Sequence, residues 1–196
     1  LTNSILSAEA RIGLHHIKQG TTDDAGVVRG ARAIEKMNAA PLYLSDESDL
    51  SLPMLRGKVR HLVRTAGLRM VVIDYIQLMQ APKAETRQAE VAKLSRGLKL
   101  MAKEFGITVV VLAQLNRGPE QRTDKKPMKS DLRESGAIEQ DADIVILLHR
   151  EDAYDKESAR AGEADFIVDK HRGGPTGIVT TAAQLHYSQF VDMAGV

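Results

Sequence analysis

Cysteine is absent from the 196 residues, which excludes a disulfide framework and any thiolate zinc site. The six histidines are too dispersed along the chain to stand in as a metal cluster. No run approaches the roughly 18 apolar residues that cross a bilayer, and the first residues lack the basic stretch and apolar run of a secretory leader. These absences lead us to expect a soluble, unexported chain in a reducing, cytoplasmic setting. Neither sign of charge prevails. The net charge of +1 neither demands nor excludes a nucleic-acid partner, because basic groups can be gathered in one patch. There is no internal repeat and no low-complexity segment. With 43% hydrophobic residues the chain can bury one core and is short for two, so a single domain over 1–196 is expected.

Hydrophobic periodicity supplies the elements. Val27, Val28, Ala31, Ile34 and Met37 recur at helical spacing behind Asp23 and Asp24, either of which can cap the helix. Pro41 to Ser45 reads as a short strand. Ser51, with Pro53 just inside, opens a helix that runs through Val63 and closes near Gly67. Ala89, Val91, Ala92, Leu94, Leu98, Met101 and Ala102 form the apolar face of a helix from about Arg87 to Phe105, stopped by Gly106. Three nearly continuous apolar runs, 70–74, 107–113 and 143–148, read as buried strands. Apolar strands alternating with helices predict an α/β fold with a largely parallel sheet covered on both faces. Towards the end, 164–168, 178–182 and 184–190 are short strands joined by tight turns, which predicts antiparallel strands along the C-terminal edge.

Three places carry chemistry. Met70-Val71-Val72-Ile73-Asp74 delivers one carboxylate to a strand end, the form of a Walker B strand, where an aspartate can hold the Mg²⁺ that bridges nucleotide phosphates. The next strand delivers Gln114, whose amide can donate to a γ-phosphate or its attacking water. Both residues read equally well as strand-end caps. The partner signature G-x-x-x-x-G-K-[ST] is missing: Gly13 through Lys18 and Gly173 through Gly177 are the nearest approaches, and neither has its Gly-Lys-Ser/Thr ending. In the second place, Asp131 to Asp143, Ser135 and Gly136 can present backbone N–H groups to an anion, and Arg133 adds a charge. Arg117, Arg122, Lys125, Lys126 and Lys129 just upstream outnumber Glu120 and Asp124. With no aromatic in that stretch, a nucleic acid would be tracked by its backbone; a solvated loop is the plain alternative. In the third place, Lys170 and Arg172 end a strand at a tight turn, suited either to an arginine finger reaching a neighbouring subunit or to capping an exposed edge.

Taken together, VVIDYIQLM, EVAKLSRGLKLMAKE, VVVLAQLNRGPEQRTDKKPM, SDLRESGAIEQDADIVILLHR and DKHRGGPTG, in this order across most of residues 70 to 177, closely resemble the C-terminal domain of the DnaB-family replicative DNA helicases. Residues 1–69 look like the region before that family's Walker B strand, less distinctively. The resemblance implies a RecA-like P-loop NTPase core, a homohexameric ring with ATP at subunit interfaces, single-stranded DNA in the central channel, and a primase and a helicase loader as partners. Residue by residue it implies Asp74 as the Mg²⁺ ligand and Gln114 as the sensor. It also places Arg133, Glu134 and Gly136 against the DNA backbone, and makes Lys170 and Arg172 the cations offered to the neighbour's γ-phosphate. His171 and Gly173 depart from the residues more usual there, glutamine and asparagine. The phosphate loop and the family's catalytic glutamate would precede Leu1, so a segment of a longer polypeptide is expected, inactive alone towards ATP. A RecA-like recombinase or clock-type ATPase, or a non-catalytic assembly or DNA-binding module, are the alternatives.

Overall fold

The computed structural model describes residues 1–132 and 136–193. In chain order the elements are α1 (Thr2–Ala10), α2 (Leu14–Gln19), α3 (Asp24–Ala39), α4 (Leu52–Ala66), β1 (Met70–Ile73), α5 (Arg87–Phe105), β2 (Thr108–Val111), α6 (Gly118–Gln121), α7 (Gly136–Asp141), β3 (Ile144–His149), β4 (Glu163–His171), β5 (Gly177–Gln184) and β6 (Gln189–Asp192). They fold as two compact units, one of Ser45–Leu147 with Ile167–Gly177, the other of the remaining segments.

The first of these units holds every candidate site residue among those described. Its long helices form where capping and periodicity agree. Ser51 accepts the Met54 N–H at 3.5 Å to start α4, and Thr86 accepts the Ala89 N–H at 3.1 Å to start α5. Both helices stop on a glycine in the left-handed region, Gly67 at φ 65° and Gly106 at φ 61°, where a Cβ would be strained. The apolar face of α5 buries Val91, Leu94, Leu98 and Met101 against Leu55 and Val59 of α4 and Ile73 of β1. β1 and β2 run parallel, with Met70 opposite Thr108 and Ile73 opposite Val111.

In the other unit, α1 to α3 enclose a small core of Ala10, Ile12 and Ala33. The predicted α3 is present, with Asp23 accepting the Gly26 N–H at 2.9 Å. A second ordered feature is ionic. Arg160 makes a two-pronged bond to the buried Asp165 at 2.7 and 2.9 Å and also holds Glu151 and Glu163.

Several expectations need correction. Residues 41–45 form no strand: Pro41 offers no N–H, no strand among the described residues pairs with the segment, and Leu42, Tyr43 and Leu44 are exposed. The predicted strand over 184–190 is interrupted by a 3₁₀ turn at Leu185–Tyr187, with Ser188 in the left-handed region, and β6 starts only after it. The parallel sheet is smaller than expected and is covered on one face. Among the described residues it consists of β1 and β2, while β3 lies in a four-stranded sheet of order β3-β4-β5-β6, in which β5 and β6 are antiparallel. Ile73 and Val111 join the core, but Val72 and Val110, pointing the other way, remain 57% and 41% exposed.

Candidate functional site

Because β1 and β2 are parallel, their C-terminal ends open on one rim. Asp74 follows the last residue of β1 directly. The ladder continues beyond the strands: Leu112 N–H donates to the Ile73 carbonyl at 2.9 Å and Ile76 N–H to the Leu112 carbonyl at 3.0 Å. This carries the chain up to Gln114 beside the turn that follows Asp74. Both side chains are exposed there, and the Asp74–Tyr75 peptide bond is cis.

Sequence reasoning passed over a third rim residue. Gln77 lies on the 3₁₀ turn Ile76–Leu78, and its Oε1 accepts the Gln114 N–H at 3.4 Å. Because that N–H can only donate, the amide orientation of Gln77 is set, and its Nε2, buried, has no hydrogen-bond partner among the described residues. Its carbonyl is anchored by Arg87 at 2.7 Å. The hint was its place three residues after Asp74, as the one polar side chain of the turn Ile76–Leu78.

This donor set fits a magnesium nucleotide. Among the described residues no group of three or more His, Cys, Asp or Glu could cage a metal ion. One exposed carboxylate is instead what Mg²⁺ uses when phosphate and water complete its octahedron. The Gln114 amide and the uncommitted Gln77 Nε2 are donors of the kind that phosphate oxygens accept.

Lys170 and Arg172 lie at the far end of β4. Lys170 Nζ donates to the carbonyls of Glu139 at 2.5 Å and Gln140 at 3.3 Å, so its cation caps the negative end of α7. Arg172 N–H donates to the Asp143 carbonyl at 2.9 Å, and its guanidinium reaches the Asp143 carboxylate at 3.3 Å. Asp143 is shared with Lys99; the Lys99 hydrogen bond, with the charges of Lys99 and Arg172 behind it, holds that carboxyl below its ordinary range. His171 and Pro175 close the turn, at 3.3 Å from ring nitrogen to carbonyl.

The basic stretch folds into a closed loop. Leu115 and Leu132 form an isolated antiparallel bridge, and Asn116 N–H donates to the Asp131 carbonyl at 2.7 Å. Inside, Asp131 receives both guanidinium prongs of Arg122 at 2.6 Å and the Met128 N–H at 2.7 Å. Arg122 holds the Asp131 carboxyl below its usual value, with the Met128 N–H adding to the effect, and the same pairing raises Arg122. Arg122 is thus neutralised by an acid that the sequence did not mark as its partner. Lys129 is tied as well, its N–H to Asp169 at 3.3 Å and its ammonium to Glu139 at 3.5 Å. Gly136 opens α7 and is exposed, whereas Arg133, Glu134 and Ser135 lie outside the described residues.

The comparisons with known proteins agree with one another. The family model described as the DnaB-like helicase C terminal domain matches residues 1–192. The replicative DNA helicase DnaB of Mycobacterium intracellulare is 55% identical over 191 residues, covering 97% of this chain and 33% of that protein. The replicative DNA helicase DnaB of Leifsonia xyli is 54% identical over 193 residues, covering 98% of this chain and 42% of its own length. A solved DnaB-like replicative helicase, described with its interactions with primase, superposes with a TM-score of 0.93 at 38% identity, over 98% of this chain and 47% of that one. The chain therefore spans less than half the length of the curated relatives it matches.

Proposed function

The chain belongs to the DnaB-like helicase C-terminal domain family, and from that premise we propose that it is the motor part of a ring-shaped replicative helicase that uses ATP to move along single-stranded DNA and open the duplex. The observation that carries this reading is the shared rim: Asp74 and Gln114 both follow the C-terminal ends of adjacent parallel strands, with Gln77, on the turn after Asp74, bonded to the Gln114 backbone. In this reading the chain has a RecA-like core and works as a homohexamer. The primase interaction belongs to the solved relative; for this protein, primase and a helicase loader are proposed partners.

Bound Mg²⁺ would supply charge neutralisation at the β- and γ-phosphates, the largest demand of phosphoryl transfer. Asp74 provides an oxygen ligand at the rim. Gln114 donates its side-chain amide to the γ-phosphate or its water and releases that bond after hydrolysis. Lys170 and Arg172 serve the neighbouring subunit. Each cation is already engaged, Lys170 with the α7 carbonyls and Arg172 with Asp143, yet the Arg172 pair is more than half exposed on both sides. A pair of that kind is worth about 0 to 1 kcal/mol, so a phosphate accepting a charge-assisted bond outcompetes it. Arg133, Glu134 and Gly136 contact the DNA backbone.

Arg172→Ala in the full-length protein is the test. Turnover should fall by about 10³ to 10⁵, the usual worth of a finger arginine, while equilibrium binding of nucleotide stays intact. Unchanged turnover would remove Arg172 from the site and with it the interface reading.

A further inference from the structure

The Arg122–Asp131 pair touches neither the rim nor the β4 turn, yet among the described residues it is the most enclosed ion pair in the unit that holds the candidate site. Asp131 is only 3% exposed, in a loop where Arg117, Glu120, Asp124 and Lys129 are exposed and Arg122, Lys125 and Lys126 are half-buried. Its carboxylate accepts three hydrogen bonds, two from Arg122 and one from Met128, and its carbonyl accepts a fourth from Asn116. Space around it is fully used: a Cβ on Gly118 would stand 2.9 Å from Asp131 Oδ1 and 2.7 Å from Asn116 Oδ1. What the pair braces is the base of the loop. Leu115, one half of the bridge at that base, directly follows Gln114; its bridge partner Leu132 directly precedes Arg133 in the chain.

We propose that Arg122 and Asp131 are positioning residues that lock the base of the 115–132 loop into one rigid piece, so that a shift of Gln114 on the rim is delivered to the chain at Arg133 and the arrival of DNA is felt at the rim. This rests on the reading of Gln114 and Arg133 given above. The mechanical argument is short. A floppy loop between the two residues would absorb a small displacement, whereas a two-residue backbone tie behind each of them, cross-braced by a two-pronged ion pair on the buried Asp131, moves as a body. Packed and ion-paired elements of this kind carry coupling because they shift between discrete arrangements and do not deform gradually. Removing Arg122 would leave the buried Asp131 carboxylate uncompensated, and removing the Asp131 charge takes both prongs from a half-buried Arg122, so the brace fails as a unit.

The experiment measures ATP turnover by the assembled full-length protein, with and without an oligo-dT strand, in wild type and Asp131→Asn. Binding of the same strand is followed by fluorescence anisotropy. Expected are unchanged turnover without DNA, an unchanged KM for ATP, retained binding of oligo-dT, and a loss of DNA stimulation by about tenfold, the size of an ordinary coupling between two sites. If Asp131→Asn no longer melts cooperatively, Gly118→Ala decides, since it keeps both charges and presses on the ends of the Asn116 and Asp131 side chains. DNA stimulation equal to wild type in the variant that folds would overturn the proposal. So would an equal fall of basal and stimulated turnover, which assigns the pair to the fold alone. A wild type that DNA does not stimulate at all would sink the motor reading itself, a result separable from the other two.

Discussion

Asp165 shows how one buried carboxylate becomes a pH dependence. The two-pronged bond from Arg160, helped by the hydroxyl of Thr180 and opposed by burial, lowers its pKa from 3.8 to about 2. A depressed folded-state value stabilises the fold fully above the unfolded pKa, and that contribution is lost as pH falls from 3.8 towards 2. Arg160 is about one-third exposed, so the full shift overstates the effect, and about 1 to 2 kcal/mol is the expected loss. Denaturant midpoints followed between about pH 5 and pH 2 should fall more steeply in wild type than in Asp165→Asn, whose reference stability is lower throughout; parallel curves would remove Asp165 from the acid response. At this scale the sequence was legible only where a residue's position follows from an element. Asp74 and Gln114 could be placed because strand ends can be read. Arg122–Asp131 and Arg160–Asp165 could not, because the path of a loop, with no periodicity to betray it, decides which charges meet.

Elements with both a cap and a period were readable, and those with neither were missed. The boundaries of α3, α4 and α5 follow from Asp23, Ser51 and Thr86 at their starts, and for α4 and α5 from Gly67 and Gly106 at their ends. The helix α1 has no capping side chain at Leu1 and ends on Arg11 in the left-handed region in place of a glycine, so neither end announces itself. The apolar 41–45 run failed for the opposite reason: it has strand composition without a partner to pair with. Burial along α5 makes a direct prediction. Val91 and Leu94 are fully enclosed at 0% exposure, so Leu94→Ala removes side-chain volume from a site that the flanking helix and sheet hold open. A loss of about 2 to 5 kcal/mol is expected in chemical denaturation; a loss below about 1 kcal/mol would mean that the core collapses freely around the gap.

At the scale of the whole molecule, the likeness to DnaB helicases covers nearly the entire chain but less than half of the curated relatives, so ring, channel and partners are tested on the full-length protein. If Arg133 meets the DNA backbone there, Arg133→Ala should weaken single-strand binding and flatten its salt dependence by about 0.7 logarithmic units for each phosphate left unneutralised. A slope identical to wild type would move the DNA-binding role elsewhere, with Lys125 and Lys126 of the neighbouring loop as the next residues to change. No helix among the described residues is long and apolar enough to cross a membrane.

The loop between Leu115 and Leu132 is tied at its base by backbone pairing between its own two ends. Closing a loop costs entropy that grows only slowly with its length, and here that cost is met once, when the chain folds. A machine that cycles many times along a strand would then repeat its stroke without reordering this segment at each step, and speed would be limited by other events.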